Sequence, residues 1–342
     1  MTEVNRCVYL DSSHKLSLVE KEIKRPLPDE VIVRIMANGI CGSDIHFYHE
    51  GRLGNFVVTA PYIPGHEASG IIEEVGERVK DFSRGDHVVI EPGIPCGVCG
   101  FCRMGRYNLC REVIFLSEPS VNGTFCDYVS IRRDSVHRIP KDMPFEHAAL
   151  AEPAAVAIHA VNRAMFKNGD SAVIIGAGPI GLLTLQAFKA AGGGRAICID
   201  GIGKRLETAK RLGADEIIDI RYCKTDMRDI ADVVFETAGS SKASENMFRL
   251  ARHGGCAVQV GWPDKNSVPM DIACFLDKEL VYVAVNRYAN VFPTAISWIY
   301  DGRINVRELI THEYSLEQTA EAFKFSLENK EHVIKTVVTN II

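Results

Sequence analysis

The stretch Ala172–Asp200 constrains the fold more than any other part of the chain. A short, β-branched apolar run, AVII, leads directly into Gly176-Ala177-Gly178-Pro179-Ile180-Gly181 and then into a helical pattern, LLTLQAFKAAG, that ends at glycines. Strand, glycine loop and helix in that order are the context in which this motif binds a dinucleotide rather than merely packing as a turn. Gly176 permits the tight turn, Gly178 lets the backbone approach a pyrophosphate, and Gly181 allows helix and strand to pack closely. Pro179 and Ile180 open a helix whose free N–H groups and positive dipole end face the phosphates. Asp200 closes the next strand, AICID, where it can accept from the adenosine ribose hydroxyls and repel a 2′-phosphate, so NAD(H) is favoured over NADP(H). Lys204 and Arg205, just beyond, leave some tolerance for an extra phosphate.

The alternation continues past this unit. EIIDI, DVVFETAG and CAVQVGW read as strands, and KRLETAKRLGA and SSKASENMFRLARHG as helices, which predicts a parallel, doubly wound sheet. The link from Ile220 to Asp232 is short, so one crossover helix is expected to shrink to a turn or two. Residues 1 to about 150 read instead as an all-β body, with Val/Ile-rich runs punctuated by Gly, Pro and Asp. Near Phe145 an alanine-rich helical pattern begins, with Pro153 in a first turn and Glu152 just ahead of it. After ELVYVAVNRY the chain returns to mixed structure: VFPTAISWIYDG and SLEQTAEAFKFSLENK as amphipathic helices, and HVIKTVVTNII as a final strand. A β-rich body is thus interrupted by an α/β sheet and then resumed.

At 342 residues the chain is long enough for two domains. With 46% hydrophobic and 24% charged residues and a net charge of −5, it lacks the basic face that a nucleic-acid or anionic-membrane partner requires. The N-terminus has no apolar core followed by small residues, and the most apolar run, Ala172 to Phe188, is broken by glycines and a proline; a cytoplasmic protein is expected. Its eleven cysteines should therefore be mostly reduced.

Four of them crowd together. Cys96, Cys99, Cys102 and Cys110 form C-x2-C-x2-C-x7-C with glycines between, a spacing suited to a closed tetrahedral zinc site that braces its own loop. Disulfides are disfavoured by compartment, and an iron–sulfur cluster would need an electron partner. A second constellation runs from Cys41 to Glu67, opening CGSDIHFYHEG and closing PGHEASG. Thiolate, imidazole and carboxylate form a mixed donor set that suits zinc as a Lewis acid and leaves a position for water or substrate.

CGSDIH, GHEASG, the cysteine lobe, GAGPIG with Asp200, and NRYANVFPTAI together resemble the zinc-dependent medium-chain dehydrogenase/reductase family over the full length. Within it the chain is similar to the polyol branch, the sorbitol (L-iditol) dehydrogenases; GRLGNF, EPGIPC, MGRYNL and EPAAVAIHA are close to that branch. Glu152 stands where alcohol dehydrogenases of the group place cysteine and threonine dehydrogenases aspartate. The resemblance implies a GroES-like catalytic domain made of residues 1–153 and 288–342, with a Rossmann domain, 154–287, inserted, and a homotetramer or homodimer. It implies Cys41, His66 and Glu67 as ligands of a catalytic zinc, Glu152 as a further ligand or the holder of a water, a structural zinc in the lobe, and NAD(H).

The implied reaction is reversible oxidation of a polyol's secondary alcohol (sorbitol, xylitol or iditol class) to a ketose, with hydride passing to NAD+. Ser43 and His46 would relay the hydroxyl proton; capping for Ser43 and plain surface exposure for His46 are the alternatives. Further cofactor contacts are expected at Arg205, Val260, Gly261, Val285 and Arg287, and substrate contacts at Phe47, Phe56, Phe115, Glu152, Arg287 and Tyr288. Arg287 could instead pair with an acid in a subunit contact. Phe47, where animal sorbitol enzymes have tyrosine, and Asn286, where they have phenylalanine, bear on which polyol is used. A diol, threonine, aminoalcohol/cyclitol or simple secondary-alcohol dehydrogenase is the alternative activity, and a catalytically silent NAD- and zinc-binding protein the alternative class.

Overall fold

The computed structural model describes residues 4–23, 25–223, 226–265 and 267–340. The chain divides into two compact units: one holds the chain through Glu152, Phe292–Tyr300 and Ile310 onward, and the other holds Pro153–Val291 and Asp301–Leu309.

The first unit is built on a seven-stranded sheet. Its spine runs Val136–Arg138, His87–Ile90, Glu67–Val75, Glu30–Gly39, Lys335–Thr339 and Ile310–Ser315, with Tyr128–Arg132 also paired to Glu30–Gly39. Pairing is antiparallel except between the last two spine strands. Val33, Ile35, Ile72, Tyr62, Phe125 and Phe323 fill one hydrophobic core beneath it. The all-β expectation for residues 1–150 needs one correction that matters for function: Gly42–Glu50 is an α-helix. Its apolar positions are too few to show a helical period. It starts because the Asp44 carboxylate reaches back to the Cys41 N–H at 3.1 Å, and it stops at Gly51 in the left-handed region.

The second unit is a six-stranded, all-parallel sheet in the order Glu216–Asp219, Ala196–Asp200, Ala172–Ile175, Ala231–Glu236, Ala251–Gln259, Val281–Ala284. This is the doubly wound arrangement, with the sequence reversing direction beside the Ala172–Ile175 strand. The crossover after Asp219, expected to keep a turn or two of helix, has no helix before Ala231 among the described residues. A short helix, Ile272–Asp277, lies in a segment that carries no helical pattern in the sequence. Asp301–Leu309 groups with this unit rather than with the β-rich body, held by the Asn305 N–H donating to Gln186 Oε1 at 2.6 Å and by an Arg211–Glu308 ion pair. Phe292–Tyr300 groups with the first unit, where Phe292 stacks on His137 and Tyr300 reaches Asp142.

One buried cation fastens the far side of the parallel sheet. Lys278 Nζ donates to the carbonyls of Phe248, Arg249 and Ala251, where the helix Ser241–Leu250 ends, and pairs with Asp229 at 2.7 Å. Lys278→Met would keep the aliphatic stem and strand those carbonyls, so a loss on the order of 3 kcal/mol is expected in chemical denaturation. A loss below about 0.5 kcal/mol, the range of ordinary surface changes, would remove the cap from the account.

Candidate metal centres and dinucleotide loop

Cys41 leaves the end of the strand Glu30–Gly39 as the N-cap of the helix Gly42–Glu50. His66 precedes, and Glu67 begins, the neighbouring strand Glu67–Val75, and Gly39 pairs with Glu67 in register. Two adjacent strand ends thus bring one thiol, one imidazole and one carboxylate together, with their donor atoms within 4.8 Å of one another. His66 and Glu67 are buried and Cys41 is half-buried.

Asp44 organises this corner. It is wholly buried and accepts from the Cys41 N–H, from the Gly65 N–H at 3.3 Å and from the Ser117 hydroxyl at 2.7 Å. Its Oδ1 lies 3.7 Å from His66 Nδ1, an electrostatic neighbour beyond hydrogen-bond reach. Ser117 holds a left-handed φ of 69° while making its bond, a strained backbone kept in place by its surroundings. The Phe115 ring lies 5.5 Å from that of His66. Lys335, on the last strand, meets Glu67 from the other side as a buried ion pair. The ammonium lies directly against Glu67 Oε2, so this buried oxygen has a charged partner.

The site fits a divalent cation. His66 Nδ1 is a buried polar atom with no hydrogen bond, beside a thiol and a carboxylate, and buried polar atoms of this kind need an explanation. Burial works against a charge on the His66 ring, but Asp44, Cys41 and Glu152 outweigh it and hold the ring well above the ordinary histidine range. A cation would relieve the same concentration of negative charge by displacing that proton. Burial likewise opposes the Lys335 ammonium, and Glu67 and Cys41 overcome it, raising its pKa above the ordinary lysine value.

Glu152 is buried in the first turn of the helix Ala151–Arg163. It stands outside the set of mutually close donors, yet near enough for its charge to act on both His66 and Lys335. Ser43 is half-buried in the first turn of Gly42–Glu50, where Asp44 rather than Ser43 does the capping. His46 is exposed, with Nδ1 3.2 Å from Glu50 one turn on. Of the three phenylalanines expected to contact substrate, Phe115 packs near the His66 ring. Phe47 is instead a core residue, packed edge-on against Tyr62, and Phe56 is exposed on a two-stranded hairpin with Arg52–Leu53.

In the cysteine lobe, Cys99 Sγ and Cys102 Sγ are 3.4 Å apart, Cys96 Sγ and Cys102 Sγ 4.0 Å, and the Cys96 N–H points at Cys110 Sγ. All four are free thiols whose sulfurs lie within 4.8 Å of one another, a closed four-sulfur set. Burial, together with the neighbouring thiols, Cys99 foremost, pushes the Cys102 thiol up to about 12. A four-residue helix, Gly100–Arg103, and a 3-10 turn, Tyr107–Leu109, supply the loop's regular structure. Tyr107 ties it to the sheet by donating to Glu91, which also bonds His137.

In the second unit, Gly176 has a φ of 95°, and a side chain there would meet the Ala238 backbone at 2.8 Å; one at Gly181 would overlap the Gly176 carbonyl. Gly178 caps the helix Pro179–Ala190, which Pro179 and Ile180 open. Asp200 Oδ2 accepts from the Ala177 N–H at 2.6 Å and Oδ1 from the Ile202 N–H at 2.8 Å, so the acid holds the glycine loop. Arg205 lies along Asp200 and 3.8 Å from where a Gly178 side chain would stand; burial lowers its pKa against the pull of Asp200. Val260 and Gly261 both donate to the Glu236 carbonyl, and Val285 to that of Gln259. Arg287 adopts a left-handed φ of 53°, and Tyr288 is buried; both belong to this unit.

Sequence reasoning passed over Asp44, Ser117 and Lys335. Asp44 had a signal in its three-residue spacing from Cys41, and Lys335 in being the lone charge in an apolar strand, HVIKTVVTN.

Two family models match this chain: the alcohol dehydrogenase GroES-like domain over residues 27–141, and the zinc-binding dehydrogenase domain over residues 179–301. The chain belongs to the zinc-binding alcohol dehydrogenase family, as an oxidoreductase that works with zinc and a nicotinamide dinucleotide. Among its relatives, sorbitol dehydrogenase of Bacillus subtilis is 42% identical, covering 92% of each chain. D-xylulose reductase of Saccharomyces cerevisiae is 36% identical, covering 97% of this chain and 96% of the yeast one. The solved L-idonate 5-dehydrogenase of Escherichia coli superposes with a TM-score of 0.93 at 29% identity, covering 99% of each chain.

Proposed function

We propose that this protein reversibly oxidises a secondary alcohol of a polyol, of the sorbitol, xylitol or iditol class, to the ketose, with NAD+ accepting the hydride. The observation that carries the reading is the Cys41–His66–Glu67 donor set, with the charge of Glu152 beside it. Relatives that act on sorbitol and xylulose support the substrate class.

Cys41, His66 and Glu67 would hold the zinc, which would supply a Lewis acid able to lower the pKa of an alcohol toward neutrality. Asp44 fixes Cys41 through its N–H and bears electrostatically on His66, so the donors are positioned before substrate arrives. Ser43 would accept the hydroxyl proton while releasing its own O–H proton into a relay toward His46, which is exposed, paired with Glu50 and placed to deliver a proton to water. Phe115 shields the donors from solvent. In the second unit the N-terminus of the helix Pro179–Ala190 receives the pyrophosphate and Asp200 the ribose. Arg287 offers several donors to substrate hydroxyls.

The protein acts as a homo-oligomer in this reading: the edge strand Val281–Ala284 exposes Val281 and Tyr282, and the helix Ile272–Asp277 exposes Ile272 and Leu276, an apolar sheet edge that calls for a partner. Among the described residues no helix is long and apolar enough to cross a membrane, and every cysteine is a free thiol, which favours the cytoplasm.

Purified protein assayed with NAD+ against sorbitol, xylitol, iditol, inositols, threonine and butanediol, following nicotinamide reduction, tests the reading. Turnover at least tenfold faster on the acyclic polyols is expected. A preference for diols or threonine would move the substrate class, and no turnover on any alcohol would favour a silent binding protein. Asp200→Ser is expected to raise KM for NAD+ about 10- to 100-fold, the worth of one charged hydrogen bond, and to improve use of NADP+. An unchanged ratio of NAD+ to NADP+ efficiency would remove Asp200 from cofactor selection.

A further inference from the structure

Lys335 is buried, 3% exposed, on a strand that does not pair with Glu67–Val75. Between the two lies Glu30–Gly39, with Gly39 opposite both Val337 and Glu67. The missing side chain at Gly39 opens a slot: a Cβ there would overlap Glu67 Oε2 and stand 3.0 Å from Lys335 Cε. Through that slot the Lys335 ammonium reaches Glu67 Oε2, and it also donates to the Ile40 carbonyl at 2.9 Å, one residue before Cys41. The cation is thus fastened to both strand ends that carry the metal donors.

We propose that Lys335 is a positioning residue that occupies Oε2 of Glu67, so that the carboxylate presents one oxygen to the metal and a coordination position stays open for the alcohol. This rests on the catalytic-metal reading above. Carboxylates bind metals through one oxygen or two, and a catalytic zinc works only while a position remains for substrate. With Oε2 engaged across the slot, the two-oxygen mode is closed to Glu67. The ammonium also offsets part of the negative charge of Cys41, Glu67 and Glu152, and so weakens the grip on the cation. Removing it therefore tightens metal binding and adds a ligand oxygen. A merely structural lysine predicts the reverse, a loosened site that loses metal.

The two are separated with cobalt(II) in the Cys41 site and zinc in the lobe, comparing the wild type, Lys335→Met and Lys335→Arg. In Lys335→Met the visible d–d bands are expected to weaken about twofold or more as the metal passes from four ligands to five. Transfer of that metal to a colorimetric chelator should slow about tenfold, within the range that outer-shell groups exert. Lys335→Arg, which keeps the charge, should hold both readings near wild type. A wild-type spectrum in Lys335→Met, or faster metal loss, overturns the proposal. Should Lys335→Met not fold, Lys335→Gln is read by the same two criteria. A wild type that binds metal only in the lobe would sink the catalytic-metal reading itself, whereas two metals with an unmoved Lys335→Met spectrum sink this inference alone.

Discussion

Cys41→Ser is expected to lower polyol turnover about a thousandfold, since a Lewis-acid metal supplies several kcal/mol to the transition state and each 1.4 kcal/mol is about tenfold. The substitution discriminates between roles because of where Cys41 stands. It is the N-cap of Gly42–Glu50, and serine is among the best N-cap residues, so the helix should survive or gain. The Cys41 N–H, which Asp44 holds, is untouched. What changes is a soft thiolate ligand becoming a poorly ionised hydroxyl. Metal content should fall from two to one per chain, with the circular dichroism spectrum unchanged and the lobe metal retained. A folded Cys41→Ser protein that turns over polyols at the wild-type rate would end the catalytic assignment.

The heart of the parallel sheet was legible because Ala172–Ile175 and Ala196–Asp200 are unbroken apolar runs closed by glycine or an acid, so local pattern and global fold agree. The edge strand Val281–Ala284, followed by Val285 and Asn286, carries no such stop and was not assigned to the sheet. Its helix Ile272–Asp277 was not legible: it is one and a half turns long, and Ile272 and Leu276 face solvent, leaving no apolar stripe to read. Gly42–Glu50 was hidden for another reason. Only Ile45, Phe47 and Tyr48 are apolar there, and the helix is set by the Asp44 cap and by packing of Phe47 against Tyr62, neither of which is periodic. The family resemblance singled out which residues would be ligands, and the donor types could be read from the stretch Cys41 to Glu67. Their supports could not: Lys335 and Ser117 reach the centre only through strand register and loop closure, which are long-range properties of the folded chain.

Cys110→Ser should remove the other metal and unfold the lobe while leaving the Cys41 centre loaded. The fifteen residues from Cys96 to Cys110 bury little: Val98 and Met104 are exposed, and only Asn108 and Cys110 are buried. Ordering a segment of that size opposes folding by about 1–2 kcal/mol per residue, which two short turns and the Tyr107–Glu91 bond cannot offset alone. Metal coordination is the remaining source, and structural zinc sites provide folding free energy outright. The variant is therefore expected to lose one metal, to be cut by protease between Cys96 and Cys110, and to melt several degrees lower, since about 1 kcal/mol shifts Tm by roughly 2–4 °C in a domain of 150–250 residues. The pH dependence has a definite sign. Without metal the Cys102 thiol is held up to about 12, so binding must displace its proton, and the lobe metal is retained at neutral pH and lost as pH falls. A lobe that stayed protease-resistant and kept its Tm after losing its metal would have to be held by the Tyr107–Glu91–His137 contacts instead, and Tyr107→Phe would then melt it.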